Sequence, residues 1–238
     1  MEQIIAPLPK RLEEESVVQE ASLSSKSGFA RMELIHAPSS LYHFSKRLID
    51  IVLSALGLLI LIPVLLFIAI CIKLDDGGDV LYFREVVGQY GRRFLAIKFR
   101  TMIPDADAYL FKHPELLRQY RQNMKLEHDP RITRVGKFLR RSSLDELPQL
   151  FNVLMGQMSL VGPRIIDPGE LPRYGEWAQK RLSVKPGITG LWQIMSRKHR
   201  FYEERVMLDM QYIARRSCRL DLAILLKTFK VFIVHTGV

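Results

Sequence analysis

The densest chemistry in the chain lies in the stretch RRSSLDELPQL, residues 140–150. Two carboxylates stand side by side, Asp145 and Glu146, with Arg140 and Arg141 five and four residues before the first. Two local readings of the acids compete. Ser143-Leu-Asp-Glu146 fits the S-x-x-E capping box, which would make them helix-start residues and nothing more. With Ser143 as the cap, however, Pro148 falls past the first turn and costs a backbone hydrogen bond. A helix starting at Pro148, with the acids just outside it, is equally consistent. In either case the pair sits at a positive helix end. That field favours the ionised carboxylate, the state that a nucleophile or a metal ligand needs.

Three other groups have phosphate-binding character. Gly162-Pro163-Arg164 is a rigid turn presenting one guanidinium, which can grip phosphate with two parallel hydrogen bonds; a salt-bridged loop arginine is the plainer alternative. Lys98 and Arg100 in KFRTM fall on one strand face, where two cations repel unless an anion lies between them; a solvated sheet face is the alternative. Lys185-Pro-Gly-Ile-Thr-Gly190 offers two glycine amides to a phosphate but lacks P-loop spacing. The six histidines include no i, i+4 pair, and no zinc or Ser-His-Asp pattern is visible. The basic residues are dispersed, without an RNP or helix-turn-helix pattern, so nucleic acid is not a favoured partner.

The elements that must position these residues follow from periodicity. Residues 1–40 mix Glu, Ser, Pro and short apolar clusters and read as a poorly ordered tail, with partner docking as the alternative. Residues 41–74 read as a membrane element, with burial in a soluble core as the alternative, although core helices seldom run this long without a polar face. Ile51 to Ile72 is 22 residues without a charge, and a spanning helix needs about 20. Pro63 divides it, and neither half alone crosses a hydrocarbon core of about 30 Å. Lys46 and Arg47 precede it and Lys73 follows, and positive flanks prefer the cytoplasm. A helix that enters, bends and returns on one side and a kinked spanning helix are equally consistent.

Residues 75–238 then form the soluble domain. Val80–Val87 and Phe94–Met102 read as a β-hairpin around GQYG. Residues 105–126 read as helix divided at Pro114, residues around 132–139 and LDELPQLFNVLMG as two further helices, and 171–182, 201–216 and 220–236 as three more. GPRIIDPGELP and VKPGITG read as loops. The last helix is apolar around most of its circumference and is expected in the core rather than on a membrane.

Bulk composition agrees with one anchored domain. Hydrophobic residues make up 48% and mean hydropathy is +0.04, too polar for a bundle of membrane helices. The net charge is +10, although residues 1–40 carry six acids against four bases, so the remainder carries +12. Such a domain favours anionic partners, either acidic lipid or phosphorylated small molecules. Two cysteines suggest neither a disulfide framework nor zinc. These features alone also allow a non-catalytic protein tethered to acidic lipid.

In their order along the chain, KRLIDIVLSALGLLILIPVLL, KFRTM, ITRVGKFLRRSSLDELPQLFNVLMGQMSLVGPR and VKPGITGLWQ resemble the bacterial sugar transferases. These are the monotopic polyprenyl-phosphate phosphoglycosyl transferases of glycan and exopolysaccharide assembly, and the resemblance covers about residues 42–238. It implies an α/β fold, mostly helical with a small β-hairpin: a re-entrant membrane helix bent at Pro63, carrying a compact catalytic domain on the cytoplasmic face of the bacterial inner membrane. It implies that Asp145 is the nucleophile and a Mg²⁺ ligand and that Glu146 is its partner. Arg164 would bind phosphate, with Lys98, Arg100 and Arg140 around the diphosphate. The implied partners are a UDP-sugar, polyprenyl (undecaprenyl) phosphate and membrane lipid; oligomeric state stays open, a homodimer included.

The sequence departs from the family pattern in three places. Ile165 stands where the family's Pro-Arg-Pro loop has its second proline. Ile62 precedes Pro63 where many relatives have serine. Residues 1–40 cannot form the membrane bundle of larger relatives, so the chain is expected to lie close to the minimal catalytic unit.

Overall fold

The computed structural model describes residues 39–123, 126, 128–195 and 202–235. The tail expected over residues 1–40 lies almost wholly outside them. Among the described residues the chain is mostly helical with two small sheets.

The first helix, α1 (Ser40–Asp76), is capped by the Ser39 hydroxyl, which accepts the Tyr42 N–H at 3.2 Å. It ends where Gly77 adopts φ 72°, a left-handed conformation in which glycine carries no Cβ penalty. Thirty-seven residues at 1.5 Å each make it about 55 Å long. It runs as one helix through Pro63, without the break expected there; the proline lacks one backbone donor, but the turns on either side continue the helix. Among the described residues it is the one helix long and apolar enough to cross a membrane.

Both ends of α1 pack on the same domain. Before Pro63, Asp50, Ser54 and Leu58 repeat at i, i+4, i+8 and are buried on one face. After Pro63, Ile68 and Ile72 are buried against Phe99 and Leu139. The stretch between carries exposed large apolar side chains, with Leu59, Ile60 and Phe67 each about two-thirds exposed or more (66%, 71% and 67%).

The hairpin forms as its alternation predicts: β1 (Leu81–Val87) pairs antiparallel with β2 (Arg93–Phe99), with Leu81 opposite Phe99 and Val87 opposite Arg93. Residues 100–102, expected in the second strand, lie beyond its end. The expected helix over 105–126 is two helices, α2 (Ala106–Phe111) and α3 (Pro114–Asn123). Pro114 opens the second, where its missing N–H costs nothing. Next come α4 (Arg134–Ser142) and α5 (Gln149–Leu154). The strand β3 (Ser159–Val161) follows α5, and after a 3₁₀ stretch Pro168–Trp177 come α6 (Ala178–Leu182) and β4 (Gly187–Thr189). Three helices close the chain: α7 (Leu191–Met195), α8 (Tyr202–Arg215) and α9 (Cys218–His235).

Two expectations need correction here. VKPGITG is not a loop throughout: Gly187–Thr189 is β4, parallel to β3, with Ser159 opposite Gly187 and Val161 opposite Thr189. The last helix is not wholly core. Ile224 and Asp221 are buried, but Leu222, Leu226 and Phe229 are exposed, because only one face of α9 meets the domain.

Candidate functional site

Asp145 and Glu146 lie in a single 3₁₀ turn, Leu144–Glu146, between α4 and α5. Ser143 closes α4 in the left-handed region, φ 57°, and its side chain makes no capping bond. The capping box is therefore absent; α5 starts beyond Pro148, with the acids outside it. Leu144 packs against the cluster of Ile68, Ile72, Phe99 and Leu139, which fixes the turn against α1.

The two carboxylates have opposite environments. Glu146 accepts from Lys98 Nζ at 2.8 Å and from Arg164 Nη2 at 2.8 Å. Burial pushes its carboxyl up, but the charges of Arg164 and Lys98 win and hold it down to about 2. Asp145 is only 9% exposed and makes no hydrogen bond or ion pair among the described residues. Burial raises its carboxyl above the ordinary range, and Glu146 adds to this, while Lys98, Arg140 and Arg164 pull it down without cancelling the rise. The helix-end field was expected to favour an ionised Asp145. Desolvation raises the Asp145 carboxyl all the same, while Arg164 and Lys98 hold that of Glu146 low.

The cations arrive from separate elements. Lys98 lies near the end of β2 on the same face as the buried Ala96. Asn152 of α5 binds that strand's edge, accepting the Ile97 N–H at 2.9 Å and donating to the Leu95 carbonyl at 2.8 Å. Arg140 donates through Nε to the Thr101 hydroxyl at 2.8 Å. Gly136 lets α4 come that close, since a Cβ there would stand 2.0 Å from the Thr101 carbonyl oxygen.

The loop bearing Arg164 is rigid without a second proline. Ile165 and Ile166 are buried, and Val87 N–H donates to the Ile166 carbonyl at 3.0 Å. The buried Arg181 donates to the Arg164 carbonyl at 2.8 Å. Gly162 and Gly187 stack backbone on backbone beneath the loop, and a Cβ on Gly187 would fall 2.1 Å from the Gly162 nitrogen. The Lys185–Gly190 glycines are thus engaged in packing and are not laid out as a phosphate cradle.

Arg100 is not brought to the dyad's ion pairs. It forms a two-pronged pair with Asp76 and donates to the Asp79 and Met102 carbonyls. It joins the end of β2 to the end of α1. Sequence reasoning missed Thr101, Asn152 and Arg181, whose partners are all distant in the chain. Ordinary helix and strand composition around them carried no signal.

Among the described residues no three His, Cys, Asp or Glu side chains cluster tightly enough to cage a metal. Asp145 still offers one unpartnered carboxylate. Mg²⁺ is commonly held by one or two carboxylates, with substrate phosphates and water completing its shell. The residues fit an ion that binds together with a diphosphate.

Residues 41–235 match the model of a family described as bacterial sugar transferase. The exopolysaccharide production protein ExoY of Rhizobium meliloti is 38% identical over 224 residues, 92% of this chain and 99% of that protein. An uncharacterized sugar transferase of Haemophilus influenzae is 44% identical over 196 residues, 81% of this chain and 41% of its own length. The undecaprenyl-phosphate galactose phosphotransferase of Salmonella typhimurium is 42% identical over 198 residues, 82% of this chain. The chain spans about two-fifths of the length of these last two relatives (41% of each). A match of this extent, laid over the dyad and its cations, places the chain in the bacterial sugar transferase family.

Proposed function

We propose that this chain transfers a sugar 1-phosphate from a UDP-sugar to polyprenyl phosphate at a membrane surface, releasing UMP. The observation that carries the reading is the asymmetry of the dyad. Glu146 is clamped by Lys98 and Arg164, while Asp145 beside it is sheltered and unpartnered. A nucleophile must be free to move onto phosphorus; a positioning acid must not.

In the first step an Asp145 carboxylate oxygen attacks the sugar-linked phosphorus. The bond from that phosphorus to the bridging oxygen breaks, and UMP leaves with the electron pair. An aspartyl phosphosugar remains. In the second step a phosphate oxygen of the lipid attacks the same phosphorus and displaces the Asp145 carboxylate, giving polyprenyl-diphosphate sugar. The difficulty is electrostatic, because an anion must approach a dianion. Lys98, Arg140 and Arg164 lie close enough to act on the Asp145 charge, and their field offsets that repulsion. Mg²⁺, held by Asp145 with the diphosphate, would supply further charge neutralisation.

The same reading makes α1 re-entrant and puts the domain on the cytoplasmic side. Its support is that both ends of α1 bond to one domain, while the apolar stretch around Pro63 stays exposed. A helix that crossed the bilayer would carry one end away from that domain. Tags at both termini should then be shielded from outside the cell, and an accessible N-terminus refutes re-entry.

Asp145→Asn should abolish UMP release from UDP-sugars, and release at the wild-type rate refutes the nucleophile. With labelled donor and no acceptor, sugar phosphate should accumulate on the protein. If it does not while turnover persists, the lipid phosphate attacks directly. Unchanged activity of Asp145→Asn in cells would instead favour a non-catalytic tether on acidic lipid.

A further inference from the structure

A second cationic site lies at the other end of α5 from the dyad. There Tyr42, Lys46 and Arg47 of α1 face Lys185 and Arg216 across a cavity of about 180 Å³. A single water needs about 10–15 Å³ by the same measure, so the cavity has room for a phosphate group.

The charges in this cavity are poorly balanced. Lys46 is neutralised by Asp221 at 2.8 Å. Arg47 donates to neutral acceptors, the Val153 carbonyl at 2.6 Å and the Leu154 carbonyl at 2.8 Å. Arg216 donates to the Ile213 carbonyl at 2.5 Å, and its Nε is buried without a partner. Lys185 makes no hydrogen bond or ion pair among the described residues. The Arg47 and Lys185 head groups both lie within 4 Å of one point beside Gly156, at 3.4 and 3.7 Å. Burial and the neighbouring Arg47 charge both lower the Lys185 ammonium's affinity for its proton. Asp50 is the one carboxylate in the lining, and it already accepts from the Ser159 hydroxyl at 3.0 Å and the Leu160 N–H at 2.9 Å. Among the described residues, three cations without a carboxylate contact face this single occupied acid. Like charges held this close need an anion between them.

The height of the cavity says which anion is within reach. Leu41 and Phe44, at the same end of α1, are 72% and 68% exposed, and an apolar and aromatic fringe beside lysine and arginine is what sits at headgroup level. We infer that the cavity bounded by Arg47, Lys185 and Arg216 binds the phosphate of a membrane lipid headgroup, at a site separate from the Asp145–Glu146 centre. Arginine and lysine together suit a phosphate ester, one by a planar fork and the other as a point charge. This inference does not depend on the proposed reaction.

The test uses the full chain in a neutral detergent. Phosphatidylglycerol and phosphatidylcholine are added in separate arms, and lipid retention is read by native mass spectrometry. Inorganic phosphate is titrated against chloride at equal ionic strength, with Tm as the readout. The wild type should retain one phosphatidylglycerol and no phosphatidylcholine. The double variant Lys185→Gln, Arg216→Gln should lose it, and Lys185→Arg should keep it. A Tm rise of several degrees with phosphate, together with displacement of the lipid, would identify a general phosphate site in the same cavity. Equal retention of phosphatidylglycerol and phosphatidylcholine by the wild type, with no response to phosphate, overturns the inference. So does full retention by a folded double variant. The wild-type arms decide the matter if that variant fails to fold.

Discussion

Replacing Glu146 by Gln in an Asp145→Asn background isolates the ion triad of Lys98, Glu146 and Arg164. The background matters, because a remaining Asp145 would take over the freed cations and titrate in its place. Glu146 is held down to about 2 against an ordinary 4.5. A carboxylate whose folded value is depressed stabilises the fold above its unfolded value, and that stability is lost as pH falls through the folded value. The gap corresponds to about 3 kcal/mol at neutral pH, of which about 2 kcal/mol is gone by pH 3. The side chains of the pair with Lys98 are 12% and 14% exposed, so solvent screening removes little of it. At about 2–4 °C per kcal/mol for a domain of this size, the Tm advantage of Asp145→Asn over the double variant should shrink by about 4–8 °C between pH 7 and pH 3. Other carboxylates titrate in both proteins and cancel. Scanning calorimetry in one detergent at both pH values measures it. A gap that is the same at pH 7 and pH 3 refutes the triad as the holder of Glu146.

Three further outcomes follow from particular contacts. Because burial raises the Asp145 carboxyl, kcat/KM for UMP release should fall on the acid side at a higher pH than an ordinary aspartate near 3.8 would give. Lys98→Met, which removes a lowering charge, should move that limb higher still, and an unmoved limb argues against Asp145 as the titrating group. Gly187→Ala would place a Cβ 2.1 Å from the Gly162 nitrogen, with backbone on both sides and no flexible group to yield. It should cost about 3 kcal/mol or more, and a wild-type Tm would contradict the packing described for the Arg164 loop. Asp50→Ala strips the acceptor from the Ser159 hydroxyl and the Leu160 N–H, at about 1–3 kcal/mol for each buried group; Asp50→Asn, which keeps one acceptor, should lose less on thermal denaturation.

The site residues legible in the sequence were those whose motif is local. Asp145, Glu146, Lys98 and Arg164 sit in short segments of distinct chemistry, and the fold brings them together. Arg100 was not legible in the same way. It lies two residues from Lys98, yet its partner is Asp76, 24 residues earlier at the end of α1. Strand alternation could not see that the strand ends at Phe99. The glycines of VKPGITG look like ligand-binding glycines for the same reason that they pack well: both uses need a bare backbone. Telling one use from the other requires knowing what lies opposite, and Gly162 lies 25 residues back. Asp145 shows the other limit. A helix end is visible in a sequence, but burial is not, and here burial sets the direction of its titration.

The basic flanks of the apolar segment change meaning in the same way. As sequence they are topology signals, read by the preference of positive charge for the cytoplasm. In the fold they are ties. Lys46 donates to Asp221 and to the Val161 carbonyl, Arg47 holds the carbonyls that end α5, and Lys73 donates to the Gly78 carbonyl past the other end of the helix. Asp75 and Asp76 add bonds to the Val135 N–H and to Arg100. A charge bias allows a spanning helix and a same-side one alike. Bonds at both ends to one folded domain support the same-side reading proposed above, because a spanning helix would carry one end away from that domain. Large apolar side chains stand exposed along most of α1, from Leu41 and Phe44 through Leu59, Ile60 and Phe67 to Leu74, and Pro63 removes one backbone donor within that run.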